Sequence, residues 1–517
     1  MFDYIVIGAG SAGCVLAARL SERSNINVLL IEAGLPDRKR EIHIPAAFSK
    51  LYRSDVDWNF STEPQAHLNG RRLYWPRGKM LGGSSSMNAM IYMRGARVDY
   101  DAWRDAGNAG WGFDDVLPLF KASENQERGA SPEHGFGGPL NAADLRCVNP
   151  LTEVFLSACE AAGIAKNPDF NGATQFGAGL YQVTQKNGAR WSAADAYLKP
   201  ALRRGNLTVW TQVQVTRLLI EEGRATGVEF LQKKSPGTQQ AKAARAVILC
   251  AGAVGSPQLM LLSGIGPRRD LEELGIPVAA DIEGVGGNLQ DHLNIGQSYH
   301  CTQPISLSDA ESFSSLLKYV LKKTGPLTSN IAEAGAFLKS RAELEECDLQ
   351  LHFAPVHYVD HGLQNPPGHG FSLGAALLTP ASRGRVFLKS ADPKEQPGID
   401  PMYLSAEEDV APLREGLKVV WKLLESSQFD AYRGKAVFEK QDTTSFLKAH
   451  AETLYHPVGT CKMGEDASSV VNARLEVHGV PGLRVADASV MPKIVRGNTN
   501  APVIVIAEKA AKMILES

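Results

Sequence analysis

Apolar residues run unbroken through Tyr4-Ile5-Val6-Ile7 and again through Val28-Leu29-Leu30-Ile31. Short apolar runs bounded by glycine and polar turns predict strands covered on both faces, as a parallel sheet requires. Between them, Cys14 to Leu20 is a stretch of strong helix formers, so the chain opens as strand, turn, helix, strand. Ala246-Val247-Ile248-Leu249-Cys250 repeats the buried-strand pattern and predicts a return to the same sheet. Val209 to Ile220 alternates in character and predicts extended chain. From Asp57 to Gln65 the pattern predicts loop and short strand. From about 298 to 450 the texture changes to short segments, prolines (Pro366, Pro367, Pro393, Pro397, Pro401) and polar turns, which predicts a separate α+β unit. An excursion near 151–189 is assigned to the same unit. No internal repeat or low-complexity segment interrupts the pattern.

The turn after the first strand carries Gly8, Gly10 and Gly13 in a G-x-G-x-x-G arrangement, with Ser11 and Ala12 between them. Gly8 permits the tight turn, Gly10 lets backbone approach a pyrophosphate, and Gly13 lets the helix pack on the strand. The helix start then offers free N–H groups and a positive dipole end. The second strand ends in Glu32, followed by Ala33. An acid there accepts hydrogen bonds from a ribose and repels a 2′-phosphate, which disfavours NADP. Together these predict a dinucleotide site. A second glycine-rich block runs from Pro76 to Gly95 and contains Gly78, Met80, Gly82, Gly83, Ser84, Asn88 and Met90. Paired glycines and three serines running directly into apolar residues predict a buried loop that lies against the cofactor.

Composition removes several classes. The 517 residues suggest two domains, and 44% hydrophobic with 21% charged residues is an ordinary globular balance. A net charge of −2 offers no basic surface for nucleic acid. Seven cysteines (14, 147, 159, 250, 301, 347, 461) form no CxxC pair, which argues against zinc and against a disulfide framework. No metal site is expected. The first strand begins near residue 3, leaving no room for a cleavable leader, and no apolar run is long enough to span a membrane. A cytoplasmic location follows, with peripheral contact to the cytoplasmic membrane face left open.

With these blocks in view, the chain resembles the glucose–methanol–choline (GMC) flavin oxidoreductases. The N-terminal fingerprint and the Gly82-Gly83-Ser84-Ser85-Ser86-Met87-Asn88 loop are joined by Gly252 to Gly266, Gly287-Asn288-Leu289-Gln290-Asp291-His292, Tyr455 to Gly464, Arg484 to Ser489 and Asn498-Thr499-Asn500-Ala501-Pro502. The motifs fall in the family's order over the whole chain. The pattern is most similar to bacterial aliphatic-alcohol, polyethylene-glycol, sorbose and choline dehydrogenases.

The resemblance implies an α/β architecture. A Rossmann-like, discontinuous FAD-binding domain occupies 1–150, 190–297 and 451–517, and an α+β substrate domain with an antiparallel sheet occupies 151–189 and 298–450. It implies FAD as cofactor and adds Val213, Ala251, Gly252, Asp487, Ala488, Asn498, Asn500 and Ala501 to the cofactor-binding set. Met87 stands where some members link flavin through histidine, so the FAD is expected to be non-covalent. The resemblance further implies His456 as acid/base and Asn500 as the group that positions the alcohol. Histidine suits the first task because its pKa lies near the working pH, and Asn500 cannot act as a base. Glu333 and Tyr455 are candidate substrate contacts. The implied reaction is oxidation of a primary alcohol to an aldehyde, with electrons passed to a quinone-like acceptor or dye. An O₂-using oxidase of aryl or furfuryl alcohols, and a hydroxynitrile lyase on the same fold, are the alternatives.

Overall fold

The computed structural model describes residues 1–232, 235–364 and 366–516. Two seven-stranded sheets carry the architecture. The first strand, Phe2–Ile7, lies parallel to Val28–Glu32, which in turn pairs in parallel with Leu207–Thr211. On its other side lies Ser235–Leu249, a long strand with two roles. Its second half runs parallel to Phe2–Ile7, while its first half pairs antiparallel with Arg224–Gln232, itself paired to Val213–Glu221. Leu483–Val485 adds a short parallel strand. The apolar runs are covered on both faces as expected: Ile5, Val6, Leu29, Leu30, Val247 and Ile248 are fully buried.

The first helix, Ser11–Leu20, and the C-terminal helix, Asn500–Leu515, pack in the core of this sheet. Arg19 clasps Glu508 through Nε and Nη2 at 2.8 and 2.9 Å, joining the two helices across nearly the whole sequence.

The second sheet is antiparallel throughout. Its order is Arg433–Ala436, Leu293–Cys301, Gly370–Leu377, Leu349–Ala354, Ala334–Leu338, Gly177–Leu180, with Glu452–Thr453 paired to the start of Leu293–Cys301. Alternation sorts its two faces. Leu351, Phe353, Phe371, Leu373 and Ala375 join one cluster with Phe155, from the helix Pro150–Ala161, and with Val420 and Leu424, from the helix Val410–Leu424. Phe155 stacks on Phe353 with ring centroids 4.8 Å apart. Asn294, Ser298, His352, Ala354, Ser372 and Gly374 line a cavity instead.

Two expected domain boundaries shift. Position 297 falls inside the continuous strand Leu293–Cys301, whose residues 294–300 pair with Gly370–Ala376 of the second sheet. Likewise Glu452 and Thr453, expected with the nucleotide unit, pair with that strand. Backbone hydrogen bonding decides both, and at 297 it overrides the change of texture in the sequence.

Candidate active site

A cavity of about 650 Å³ lies between the two sheets. Its nucleotide end is built from backbone. Gly8 has φ +94°, and a Cβ there would come within 2.6 Å of the Cys250 carbonyl oxygen; a Cβ on Gly13 would fall 1.8 Å from the Gly8 oxygen. Those two glycines close the turn and seat the helix. Gly10 differs: a Cβ would meet nothing nearer than 4.0 Å, because this position faces the cavity. The helix it opens has no side-chain cap, so its first N–H groups are left for a ligand. Gly83 presses on Gly10, where a Cβ would lie 2.7 Å from the Gly10 Cα, and the Gly82 N–H donates to the Ala9 oxygen at 2.8 Å. The second glycine block is thereby fixed to the first.

Glu32 is buried at this end, accepting from the Ala9 N–H through Oε2 and from the Gly34 N–H through Oε1, both at 2.8 Å. Burial pushes its carboxyl up to about 7, against the pull of these two N–H donors. Ser11, Ala12, Ala33, Gly78, Ser84, Asn88, Met90, Val213, Ala251, Gly252, Asp487, Ala488, Asn498 and Asn500 share the lining with Gly8, Gly10 and Glu32. Gly252 sits at φ +77° with open space where a side chain would be. Asp487 brackets the adjoining backbone, accepting from the Gly252 N–H at 2.8 Å and from the Ser489 N–H at 2.8 Å.

Five expected residues do not line the cavity. Gly13, Met80, Gly82 and Ala501 pack behind its wall. Glu333 is fully buried elsewhere, its carboxylate taken by the Asn149 N–H (2.8 Å), the Thr152 hydroxyl (2.6 Å) and the Ser329 hydroxyl (2.6 Å). It ties the turn before Ala334–Leu338 to the start of the helix Pro150–Ala161 and does not reach a substrate.

The opposite end is built from side chains around His456. The carbonyl of Leu378 only accepts, so His292 Nε2, 3.2 Å away, carries the proton there. Burial holds His292 down to about 3, so its ring is neutral and Nδ1 is bare. That nitrogen lies 3.0 Å from His456 Nδ1, which must therefore donate. His456 is also neutral, lowered well below the usual range by burial and then by His292, His352 and Arg77. Its Nε2 is left as a bare acceptor, and the Asn498 amide donates to it at 3.3 Å. Asn498 is oriented in turn by Gln350, which donates to Oδ1 at 3.1 Å.

This geometry corrects the expected pairing. Asn498, and not Asn500, stands beside the imidazole. Asn500 Oδ1 instead accepts from the Ser11 hydroxyl at 2.7 Å, at the glycine turn. Asn500 opens the C-terminal helix, while Asn498 lies two residues earlier in the loop, so the two amides point to opposite ends of the cavity.

The Gly287–His292 block, a bare motif in the sequence, serves the His456 loop residue by residue. Asn288 Nδ2 donates to the Gly459 oxygen at 3.2 Å, and Gln290 and Val458 exchange backbone hydrogen bonds. Asp291 accepts the His456 N–H at 2.6 Å and the Thr453 hydroxyl at 2.5 Å. His292 then sets the ring.

Sequence reasoning passed over His292 in this role, and also His352 and Arg77. Both nitrogens of His352 and the Nε and Nη2 atoms of Arg77 are buried at the cavity without a partner. Unpaired buried polar atoms are costly, and a bound ligand is what would satisfy them. Alternation of Gln350, His352 and Ala354 with Leu351 and Phe353 was the available signal. Phe48, Tyr52, Tyr358 and Tyr455 give this end an aromatic wall. The Tyr455 hydroxyl is already engaged by His361 Nδ1 (2.7 Å) and Tyr358 (3.1 Å).

A glycine turn built from backbone and an unprotonated imidazole nitrogen thus share one cavity. The chain belongs to the GMC oxidoreductase family, whose N-terminal model matches residues 2–294 and whose C-terminal model matches residues 380–507. It is 45% identical to the alcohol dehydrogenase [acceptor] of Pseudomonas putida, over 100% of this chain and 96% of that one. An oxygen-dependent choline dehydrogenase of Brucella anthropi is 43% identical, over 99% of this chain and 95% of the other. Among solved structures, pyridoxine 4-oxidase from Mesorbium loti superimposes with a TM-score of 0.92 at 32% identity, covering all of both chains. A formate oxidase gives 0.93 at 27% identity, over 100% of this chain and 98% of that one. The protein is an FAD-dependent oxidoreductase of that family. Among the described residues no helix is long and apolar enough to cross a membrane.

Proposed function

We propose that the enzyme oxidises a neutral primary alcohol with an apolar body to the aldehyde and hands the electrons to a quinone-like acceptor. The observation that carries this reading is the bare Nε2 of His456, held by His292 and flanked by Asn498. FAD, bound by the glycine turn, Glu32 and the Gly83-Ser84 loop, supplies the hydride acceptor. A hydroxyl that replaces the Asn498 amide as the donor to Nε2 gives its proton to that nitrogen and accepts a hydrogen bond from the freed amide. The neutral ring is in the correct form to take that proton, a contribution of about 10²–10⁴-fold. His352 faces the same space and offers a further contact to the substrate oxygen. The aromatic wall suits an apolar substrate body, and with Glu333 turned away no carboxylate from that position meets a cationic one. Met87 beside the cavity has no group to join the flavin, which supports non-covalent FAD. Seven free cysteines support a reducing compartment.

The second reading is an oxidase, favoured by the pyridoxine and formate oxidases among the structural neighbours. Anaerobic titration with 1-alkanols, benzyl alcohol and choline tests both. The proposal expects flavin bleaching by the neutral alcohols and faster recolouring by a soluble quinone than by oxygen. Fast recolouring in air favours the oxidase, and flavin that no alcohol bleaches overturns alcohol oxidation.

A further inference from the structure

The helix Phe313–Lys322 is amphipathic with its apolar stripe facing outward. Phe313, Leu316, Leu317, Val320 and Leu321 are 81%, 44%, 48%, 60% and 70% exposed, at the spacing that puts them on one helical face. The buried positions are Ser315 and Tyr319, so the helix is anchored by its more polar face. Five of the eleven exposed large apolar residues among the described ones fall in these ten positions, which makes a patch and not the ordinary scatter.

Its charges have one sign. Lys318, Lys322 and Lys323 are exposed around the stripe, and no Asp or Glu occurs from Ser312 to Ala332. Glu311, just before, is engaged by Lys50. Lys323, at the C-terminal cap, folds its ammonium over the Tyr319 ring at 4.1 Å. A ten-residue helix is about 15 Å long. That is too small a face for a stable protein interface, which takes roughly 800 Å² per partner. An apolar stripe rimmed by lysines suits shallow insertion among anionic headgroups.

We infer that the helix Phe313–Lys322 docks the enzyme on an anionic lipid surface, with Phe313, Leu317, Val320 and Leu321 entering the headgroup boundary and the lysines meeting lipid phosphates. The docked face lies close to the cavity. Tyr319 is packed in a cluster with Leu327 and Ile331, and Ile331 lines the cavity beside the aromatic wall. An apolar molecule dissolved in the bilayer therefore meets the enzyme near its site. The inference stands whether or not the alcohol reading does.

Flotation of the FAD-loaded protein with phosphatidylcholine vesicles, and with vesicles containing phosphatidylglycerol, tests it. The expected result is recovery with the anionic vesicles, reduced by high salt. A Leu317→Glu/Leu321→Glu variant should partition at least tenfold more weakly with unchanged FAD absorbance and melting temperature. A Lys318→Gln/Lys322→Gln/Lys323→Gln variant, which leaves the stripe intact, should lose the preference for anionic vesicles. Wild-type protein that floats with neither vesicle, or equal flotation of the Glu variant, overturns the inference. So does light scattering that finds a wild-type dimer and a monomeric Glu variant, because the stripe would then belong to a second copy of the chain.

Discussion

The two ends of the cavity are made differently. The nucleotide end is built from backbone, where glycines remove Cβ atoms, an uncapped helix presents N–H groups, and one acid closes the strand. The His456 end is built from side chains, and every partner of that ring is distant in sequence: His292 is 164 residues away and Asn498 is 42. Backbone recognition restricts residue type at fixed short spacing, while side-chain constellations need only that the fold bring them together. A disturbance at the first end should show as lost fold or lost FAD, and one at the second as lost rate with FAD retained.

The largest expected effect separates two glycines of one turn. Gly13→Ala puts a Cβ 1.8 Å from a backbone oxygen that cannot move aside, and should cost upwards of about 4 kcal/mol, seen as failure to fold or a collapsed melting temperature. Gly10→Ala meets no protein atom within van der Waals contact, so the FAD-free protein should melt normally while FAD affinity falls. Equal melting losses for the two would break the distinction between packing glycine and ligand glycine.

The two amides are next. Asn498→Ala removes the donor beside Nε2 and should cost about 1–3 kcal/mol in anaerobic flavin reduction, roughly five- to 150-fold, with FAD content unchanged. Asn500→Ala frees the Ser11 hydroxyl and should weaken FAD retention with a smaller change in rate. The reverse pattern would return the alcohol to Asn500.

The smallest effect is a pH dependence. Burial raises the Glu32 carboxyl to about 7 from 4.5, so the FAD-free fold is favoured by protonation. This contribution is complete below about 4.5 and is lost as pH rises through about 7. A ribose hydroxyl donates to the ionised carboxylate, so FAD affinity should climb with pH up to about 7 and then level off. Glu32→Gln should bind about tenfold or more weakly and without that slope. Titration of the FAD-free protein with FAD between pH 5 and 8, followed by flavin fluorescence, reads both.

The same difference explains what the sequence disclosed. The buried strands, the glycine turn and Glu32 were legible because each follows a local rule of periodicity or φ. Val213 and Asp487 were placed at the cavity by family pattern alone. Asn500 was chosen over Asn498 because two asparagines in one short loop look alike until the C-terminal helix begins at the second of them. Glu333 looked available because the three donors that saturate it come from 149, 152 and 329, which no spacing rule connects. Residue 297 looked like a boundary because composition changes there, whereas the strand crosses it.

The central claim is that His456 is the proton acceptor, presented by His292 as a neutral ring. The most direct measurement is the rate of anaerobic flavin reduction in fully flavinylated His456→Ala. The account predicts a loss of about 10²–10⁴-fold at normal FAD content. In the wild type it predicts a rate flat through neutrality and falling only in acid, because the His456 pKa is held well below its usual value. A His456→Ala enzyme that retains its FAD and reduces it at the wild-type rate would contradict it.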